Sequence, residues 1–325
     1  MPLEKIGILG LNRTGGSLAL RLRERTLARE VAAWDPDPAT AEQAQRARVA
    51  SRLAREPFSV VRGAQVVVAA LSPLLMRDEL QALAGELTPG AIVTSTSAVA
   101  PDLVPTLEAL LPPGVAYVGG RPLFRGRSSP EGYDATLFDD CVYCLFPSPG
   151  TRPDAIEFMS SFVTALGAQP FFPDVAELAG WSAAVEALPQ VLGLALHHVV
   201  LRALSEREVE RVAGAAFYAA GDAIASDGEA ADAWLAGRES LVPVLDSCIA
   251  ELQRLRAAIA AGETTLQAET AALREGRQRL LARAAERAEQ AELAPAAHAR
   301  AASVFGNLFS IPRPGRQPAK EKKED

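Results

Sequence analysis

Gly10-Leu11-Asn12-Arg13-Thr14-Gly15-Gly16-Ser17 follows directly on the apolar run Lys5-Ile6-Gly7-Ile8-Leu9, and this junction decides the fold. Residues 5–10 read as a short buried strand, and the glycine-bearing turn opens a helical pattern over 15–29. In such a turn the first glycine makes the tight bend and the third lets the helix pack closely on the sheet. The helix N-terminus then offers free N–H groups and a positive dipole end to a diphosphate. The middle position is Asn12, where a glycine ordinarily lets the backbone approach the phosphates. Asparagine tolerates positive φ better than most residues, so the turn survives the exchange. Its side chain would either crowd the diphosphate or hydrogen-bond it. Asp35, at the end of the next strand, stands where an acid accepts from the adenosine ribose hydroxyls; it favours NAD over NADP by repelling a 2′-phosphate. The nucleotide-binding set is thus Gly10, Asn12, Arg13, Gly15 and Asp35, with Ser72 after the third strand.

Outward from that junction, strands and helices alternate. Residues 31–34 give the second strand, and Asp37-Pro38 starts a helix with Asp as N-cap and Pro at the first helical position. Residues 65–71 are apolar throughout, as a strand covered on both faces should be. Ser72-Pro73 opens the next helix; 91–95 is a strand, 101–111 a helix and 116–119 a strand. The alternation predicts an α/β fold, a Rossmann-type doubly wound parallel sheet. Residues 120–136 are irregular, and strand signals return at 141–146 and 169–172 around a helix over 153–166. Beyond that the stretches 174–204, 206–225, 229–261 and 263–291 read as helices. The expected plan is a nucleotide-binding domain over 1–172, an all-helical dimerisation or substrate domain over 173–292, and a disordered tail over 293–325.

Of the 325 residues 49% are apolar and 22% charged, and the net charge is −7. Without a basic stripe, nucleic acid is not the expected partner. The apolar runs, such as 66–71, are too short to span a bilayer, so no membrane is expected, and the first residues lack a leader pattern, which points to the cytoplasm. The three cysteines fit a reducing compartment. Cys141 and Cys144 have redox spacing but sit in an apolar run and are read as core; no second Cys pair or nearby His completes a metal site. Histidine is confined to His197, His198 and His298, and lysine to Lys5, Lys320, Lys322 and Lys323. Adjacent histidines point about 100° apart on a helix, so His197 and His198 are read as core or dimer-interface residues.

Larger motifs follow in a telling order. Ile6-Gly7-Ile8-Leu9-Gly10-Leu11 and Gly15-Gly16-Ser17-Leu18-Ala19 precede Leu87-Thr88-Pro89-Gly90-Ala91-Ile92-Val93-Thr94, Leu110-Leu111-Pro112-Pro113-Gly114-Val115 and Tyr117-Val118-Gly119-Gly120-Arg121-Pro122. Ala184-Val185-Glu186-Ala187-Leu188-Pro189-Gln190 and Val212-Ala213-Gly214-Ala215-Ala216-Phe217 close the series. From about residue 5 to about 258 the chain resembles the prephenate/arogenate dehydrogenase family. The resemblance implies a Rossmann domain, helices that form an intertwined homodimer, and oxidative decarboxylation of a cyclohexadienyl acid to a phenol with hydride passing to NAD.

The scaffold motifs match; the chemical ones do not. Where the family carries His-Pro, the His being its base, this chain has Arg121-Pro122. The family's Asp-x-Gly-Ser-x-Lys is Ser95-Thr96-Ser97-Ala98-Val99-Ala100, and its Ser-His-Leu-Pro-His is Glu186-Ala187-Leu188-Pro189-Gln190. The region of its carboxylate-gripping arginine reads Tyr218-Ala219-Ala220-Gly221-Asp222, and an acid there would repel a carboxylate. An arginine stays protonated at neutral pH and cannot serve as a base; losing a general base alone costs on the order of 10² to 10⁴ in rate. Ordinary prephenate turnover is therefore not expected.

Two readings remain. In one the chain is an NAD-dependent oxidoreductase with an altered, small anionic substrate, and the catalytic candidates are Arg121, Glu186 and Gln190. Arg121 either clamps an anion by a two-pronged hydrogen bond or pairs with a nearby acid such as Glu186. Glu186 is either a replacement base or a structural partner; Gln190 and Ser97 either meet the substrate or hold the fold. In the other reading the chain is a non-catalytic NAD-binding dimeric regulatory or scaffold protein. β-Hydroxyacid dehydrogenases and ketopantoate reductases share the layout but use a lysine of the helical domain, and none stands between Lys5 and Lys320.

Overall fold

A computed structural model describes residues 2–97, 103–124, 132–139, 141–222 and 230–292. The tail, His298 and the stretch from Ala98 to Pro101 lie outside the described residues. The leading apolar run forms β1 (Leu3–Leu9), and α1 (Arg13–Glu24) begins two residues earlier than its first helical glycine suggests, because Asn12 caps it. β2 (Ala28–Trp34), α2 (Pro38–Arg46), β3 (Arg52–Leu53), α3 (Phe58–Val61), β4 (Val66–Ala69), α4 (Pro73–Leu83), β5 (Ile92–Ser95), α5 (Leu103–Leu110) and β6 (Ala116–Leu123) follow. β3 and α3 are too short to leave a periodic signal in the sequence. A 3₁₀ turn at Ala135–Phe138 precedes β7 (Val142–Pro147), α6 (Pro153–Leu166) and β8 (Gln169–Phe171).

The strands form one sheet in the order β3-β2-β1-β4-β5-β6-β7-β8. β1 pairs in parallel with both β2 and β4, so the chain winds outward from β1 in both directions. That reversal makes a crevice at the carboxyl ends of these strands, where ligands of doubly wound sheets bind. The parallel sheet needs one correction: β6 and β7 are antiparallel, with Arg121 opposite Cys144. β6 also continues past 119, so Arg121 stands on a strand and not in an irregular segment. Alternation along the strands feeds two cores. Ile6, Ile8, Val66 and Val68 join the cluster on one face, and Leu9, Val67 and Ala69 the cluster on the other. Full burial of each large aliphatic side chain contributes about 1.5–3 kcal/mol. Cys141 and Cys144 are buried, as core residues should be.

Two arginines lock α1 against α6. Arg21 Nε donates to the Leu166 carbonyl (2.7 Å), its Nη2 pairs with Asp139, and Arg25 Nη1 donates to the Ala165 carbonyl (3.0 Å). They satisfy carbonyls that the end of a helix leaves open. Burial lowers the Arg21 guanidinium to about 10. This clasp fixes the direction in which α1 presents its N-terminus.

The change from sheet to helices falls between Phe171 and Val175. α7 (Val175–Ser182) runs through a single π-helical turn, Ala183–Ala187, into α8 (Leu188–Ala203). The stretch 174–204 is thus not one regular helix. Pro189 has no N–H for the carbonyl four residues back, and the wider turn takes up the missing bond. α9 (Glu206–Val212) and α10 (Ala215–Asp222) divide at Ala213-Gly214; α11 (Ala230–Ala236) and α12 (Arg238–Ala261) divide at Gly237. Glycine weakens a helix interior by about 1 kcal/mol. α13 (Thr265–Glu292) follows Gly262, which ends α12 at φ +68.

Two expectations are refined here. Val175–Ala203 is a helical stretch of 29 residues long and apolar enough to cross a membrane by length and composition. In the fold it packs beside α10 and α12 and carries Ser182, Glu186 and Gln190 to a cavity. His197 is half-buried and His198 exposed in the single chain, which sets aside the core alternative and leaves the dimer-interface one. His197 Nδ1 lies 2.8 Å from the Gly193 carbonyl oxygen and its ring 4.4 Å from that of Phe217.

Candidate nucleotide and substrate site

At the head of the sheet the nearest approach to Gly10 and to Gly15 is a backbone one. Gly10 sits at φ +93, and a Cβ there would stand 2.2 Å from the Ala70 carbonyl oxygen. A Cβ on Gly15 would stand 2.2 Å from the Gly10 carbonyl oxygen, which is how α1 comes down onto the turn. Asn12 does not need the positive φ that its residue type tolerates: it lies at φ −56 as the N-cap of α1. Its Oδ1 accepts from Gly15 N (3.0 Å) and its Nδ2 donates to the Ala70 carbonyl (3.0 Å), tying the turn to the end of β4. One N–H that the bare turn would offer a phosphate is thereby taken by a side chain.

Asp35 also works locally. Its Oδ2 accepts from Leu11 N (2.5 Å) and its Oδ1 from Asp37 N (2.8 Å). Burial raises its carboxyl above the usual range, and the two backbone N–H groups oppose that shift. Tyr133 closes the other side of the turn. Its hydroxyl donates to the Leu11 carbonyl (2.9 Å), and its ring lies so close to Gly16 that a Cβ there would stand 2.2 Å from it. Burial and the nearby Asp35 charge raise the phenol to about 12. Arg13, the first residue of α1, has Nε and Nη2 buried with no hydrogen-bond partner. Those two nitrogens form the edge of a guanidinium that grips an oxyanion side-on. The close-packed glycines and this orphaned edge fit a dinucleotide diphosphate.

Beside the turn, between the strand ends and the helices, lies a cavity of about 780 Å³. Asn12, Ser72, Ser97, Arg121, Glu186 and Gln190 line it; Gly10, Arg13, Gly15 and Asp35 do not. Arg121 reaches it from β6. Its Nη1 donates to Ser182 Oγ (2.6 Å) and its Nη2 pairs with the Glu186 carboxylate from the π turn. Arg121 is 14% exposed and Glu186 43%. The neighbouring Cys144 thiol is raised to about 11, chiefly by burial, so it brings no negative charge to Arg121. Gln190 Oε1 accepts from Trp234 Nε1 (3.0 Å), joining α8 to α11. Ser97 Oγ donates to the Leu71 carbonyl. Ser72 is buried at the start of α4 without capping it through its side chain.

Sequence reasoning named both halves of the Arg121–Glu186 pair but missed Ser182 and Trp234, which hold Arg121 and Gln190. An isolated serine and a tryptophan in an alanine-rich helix carry no motif. Tyr133 was missed as well, in a segment with no periodic pattern. Asp222, expected to repel a substrate carboxylate, is exposed at the end of α10 and is not part of the cavity lining.

A glycine turn at a doubly wound switch point, opening beside a cavity roofed by helices, defines a nucleotide-binding dehydrogenase architecture. Residues 18–171 match the family described as prephenate dehydrogenase, nucleotide-binding domain, and the chain is similar to that family. It is 25% identical over 261 residues to the cyclohexadienyl dehydrogenase of Zymomonas mobilis, covering 79% of this chain and 89% of that protein. The fold is shared with prephenate dehydrogenase from Aquifex aeolicus, solved with hydroxyphenyl propionate and NAD+, at TM-score 0.76 and 18% identity over 86% of this chain and 99% of that one. Synechocystis arogenate dehydrogenase superposes at TM-score 0.65 and 20% identity, over 85% of this chain and 99% of that one.

Proposed function

We propose that the chain is an NAD-dependent dehydrogenase of the prephenate and cyclohexadienyl type that acts on a small anionic substrate other than prephenate. The observation that carries this reading is Arg121: a mostly buried guanidinium aimed from the sheet into the cavity, at the position where the resembling family keeps its basic histidine. Gly10, Asn12, Arg13, Gly15, Asp35 and Ser72 are the residues proposed to hold the cofactor, and Asp35 disfavours a 2′-phosphate. NAD, when bound, supplies the hydride acceptor. The chain's own residues bind and orient the substrate. Arg121 grips its anion, and Gln190, whose oxygen is held by Trp234, donates from its amide nitrogen. Arg121 cannot take up a proton. Glu186 is the carboxylate in contact with it and the proposed acceptor of a substrate hydroxyl proton.

We also propose a cytoplasmic homodimer through the helices. Val185 and Val199 on the apolar stretch, with Val212, Leu235 and Ile259, are exposed in the single chain and call for cover.

Calorimetric titration with NAD+, NADH and NADP+, followed by a nicotinamide-absorbance assay on prephenate, arogenate and other small ring carboxylates, tests the function. The expected result is NADH binding near micromolar strength, roughly 8 kcal/mol, with turnover of a carboxylate other than prephenate. One observation favours a second reading, a non-catalytic NAD-binding scaffold: the charge of Arg121 is already matched by Glu186. Nucleotide binding without turnover of any carboxylate supports that reading, and no nucleotide binding removes both.

A further inference from the structure

Arg121 and Glu186 are unequal partners. Arg121 is fixed by its strand, donates to Ser182 Oγ (2.6 Å) and is 14% exposed, so its charge cannot leave the cavity wall. Glu186 is 43% exposed and rides on the single π-helical turn between α7 and α8, where the ladder is already displaced by Pro189. A released Glu186 carboxylate meets water; a released Arg121 would be left nearly buried and unpaired, which is the costly outcome. When an outside anion competes for the pair, Glu186 is the side that yields.

We propose that Glu186 is a built-in stand-in for the ligand's carboxylate, a latch that occupies Arg121 until an anionic ligand displaces it. This rests on the reading of Arg121 as the substrate's anion clamp. The ligand class is a small monoanion presenting a planar carboxylate, because the group it replaces is one. The latch makes the site selective: a neutral analogue cannot displace Glu186, and a weak anion must outcompete it.

The test uses the full chain, saturated with NADH, titrated calorimetrically with hydroxyphenyl propionate and with the corresponding uncharged amide. Glu186→Gln, Glu186→Ala, Arg121→Gln and the unaltered chain are compared after circular dichroism has shown the same fold; two substitutions at Glu186 guard against one failing to fold. The latch requires hydroxyphenyl propionate to bind at least about tenfold more tightly to the Glu186 variants, the share of one charge-assisted hydrogen bond. The amide should gain nothing, and Arg121→Gln should lose carboxylate binding. Binding to the Glu186 variants alone is the same result at its strongest. Equal or weaker binding to them, with loss in Arg121→Gln, overturns the latch and leaves the clamp. Unchanged binding in Arg121→Gln, or no carboxylate binding to any variant, overturns both.

Discussion

At the sheet end of the site, Gly10, Asn12 and Gly15 are held by backbone atoms: the Ala70 and Gly10 carbonyls and the Gly15 N–H. At the helical end, Arg121, Glu186, Gln190 and Trp234 hold one another through side chains. A backbone constraint accepts few residue types, since no side chain can move out of the way. A side-chain pair can be exchanged for another of matching shape and charge. The nucleotide half therefore keeps a recognisable turn, while the helical half carries Arg121, Ala187 and Gln190 at the positions where the resemblance places histidines.

The strongest way to break this comparison is Gly10→Ala. A methyl 2.2 Å from a main-chain oxygen at φ +93 cannot be absorbed by a rotamer change. We expect a loss of roughly 3 kcal/mol or more in urea denaturation, together with loss of NADH binding. A loss under about 1 kcal/mol would mean that the turn shifts freely and that the sheet end is no more constrained than the helical end.

Arg13→Leu sharpens the comparison, because Arg13 is proposed to grip the diphosphate through its side chain. With Nε and Nη2 buried and unpaired, its removal should weaken NADH binding about tenfold while stability holds or rises, since leucine leaves no buried donor unsatisfied. Titration of NADH against the variant, with a melting curve beside it, reads both. Unchanged affinity would show that backbone groups alone hold the diphosphate.

The same division explains what the sequence could disclose. The order of the longer strands and helices of the sheet domain and the glycine turn were readable because periodicity and glycine spacing are local signals. The antiparallel β6–β7 pair was not, because no periodic pattern marks the sequence between these strands and its length says nothing of direction. Arg121 and Glu186 were named, yet their contact depends on a π turn that no periodicity announces. Ser182 and Trp234 became part of the site only through folding, since each acts by touching a residue far away in sequence.

The smallest expected effect bears on the helical end. Trp234 Nε1 donates to Gln190 Oε1 at 3.0 Å, and both residues are half-buried. Trp234→Phe keeps a ring in place and removes the donor; Gln190→Leu removes the acceptor. A hydrogen bond of this kind contributes about 1 kcal/mol, and the two changes together should cost less than their sum by about that amount. Urea denaturation of the two single variants and the double variant gives the coupling. A coupling near zero would mean that water replaces either partner without loss and that packing, not side-chain pairing, positions Gln190. The contrast between the two halves would then rest on Arg121 and its side-chain partners Glu186 and Ser182.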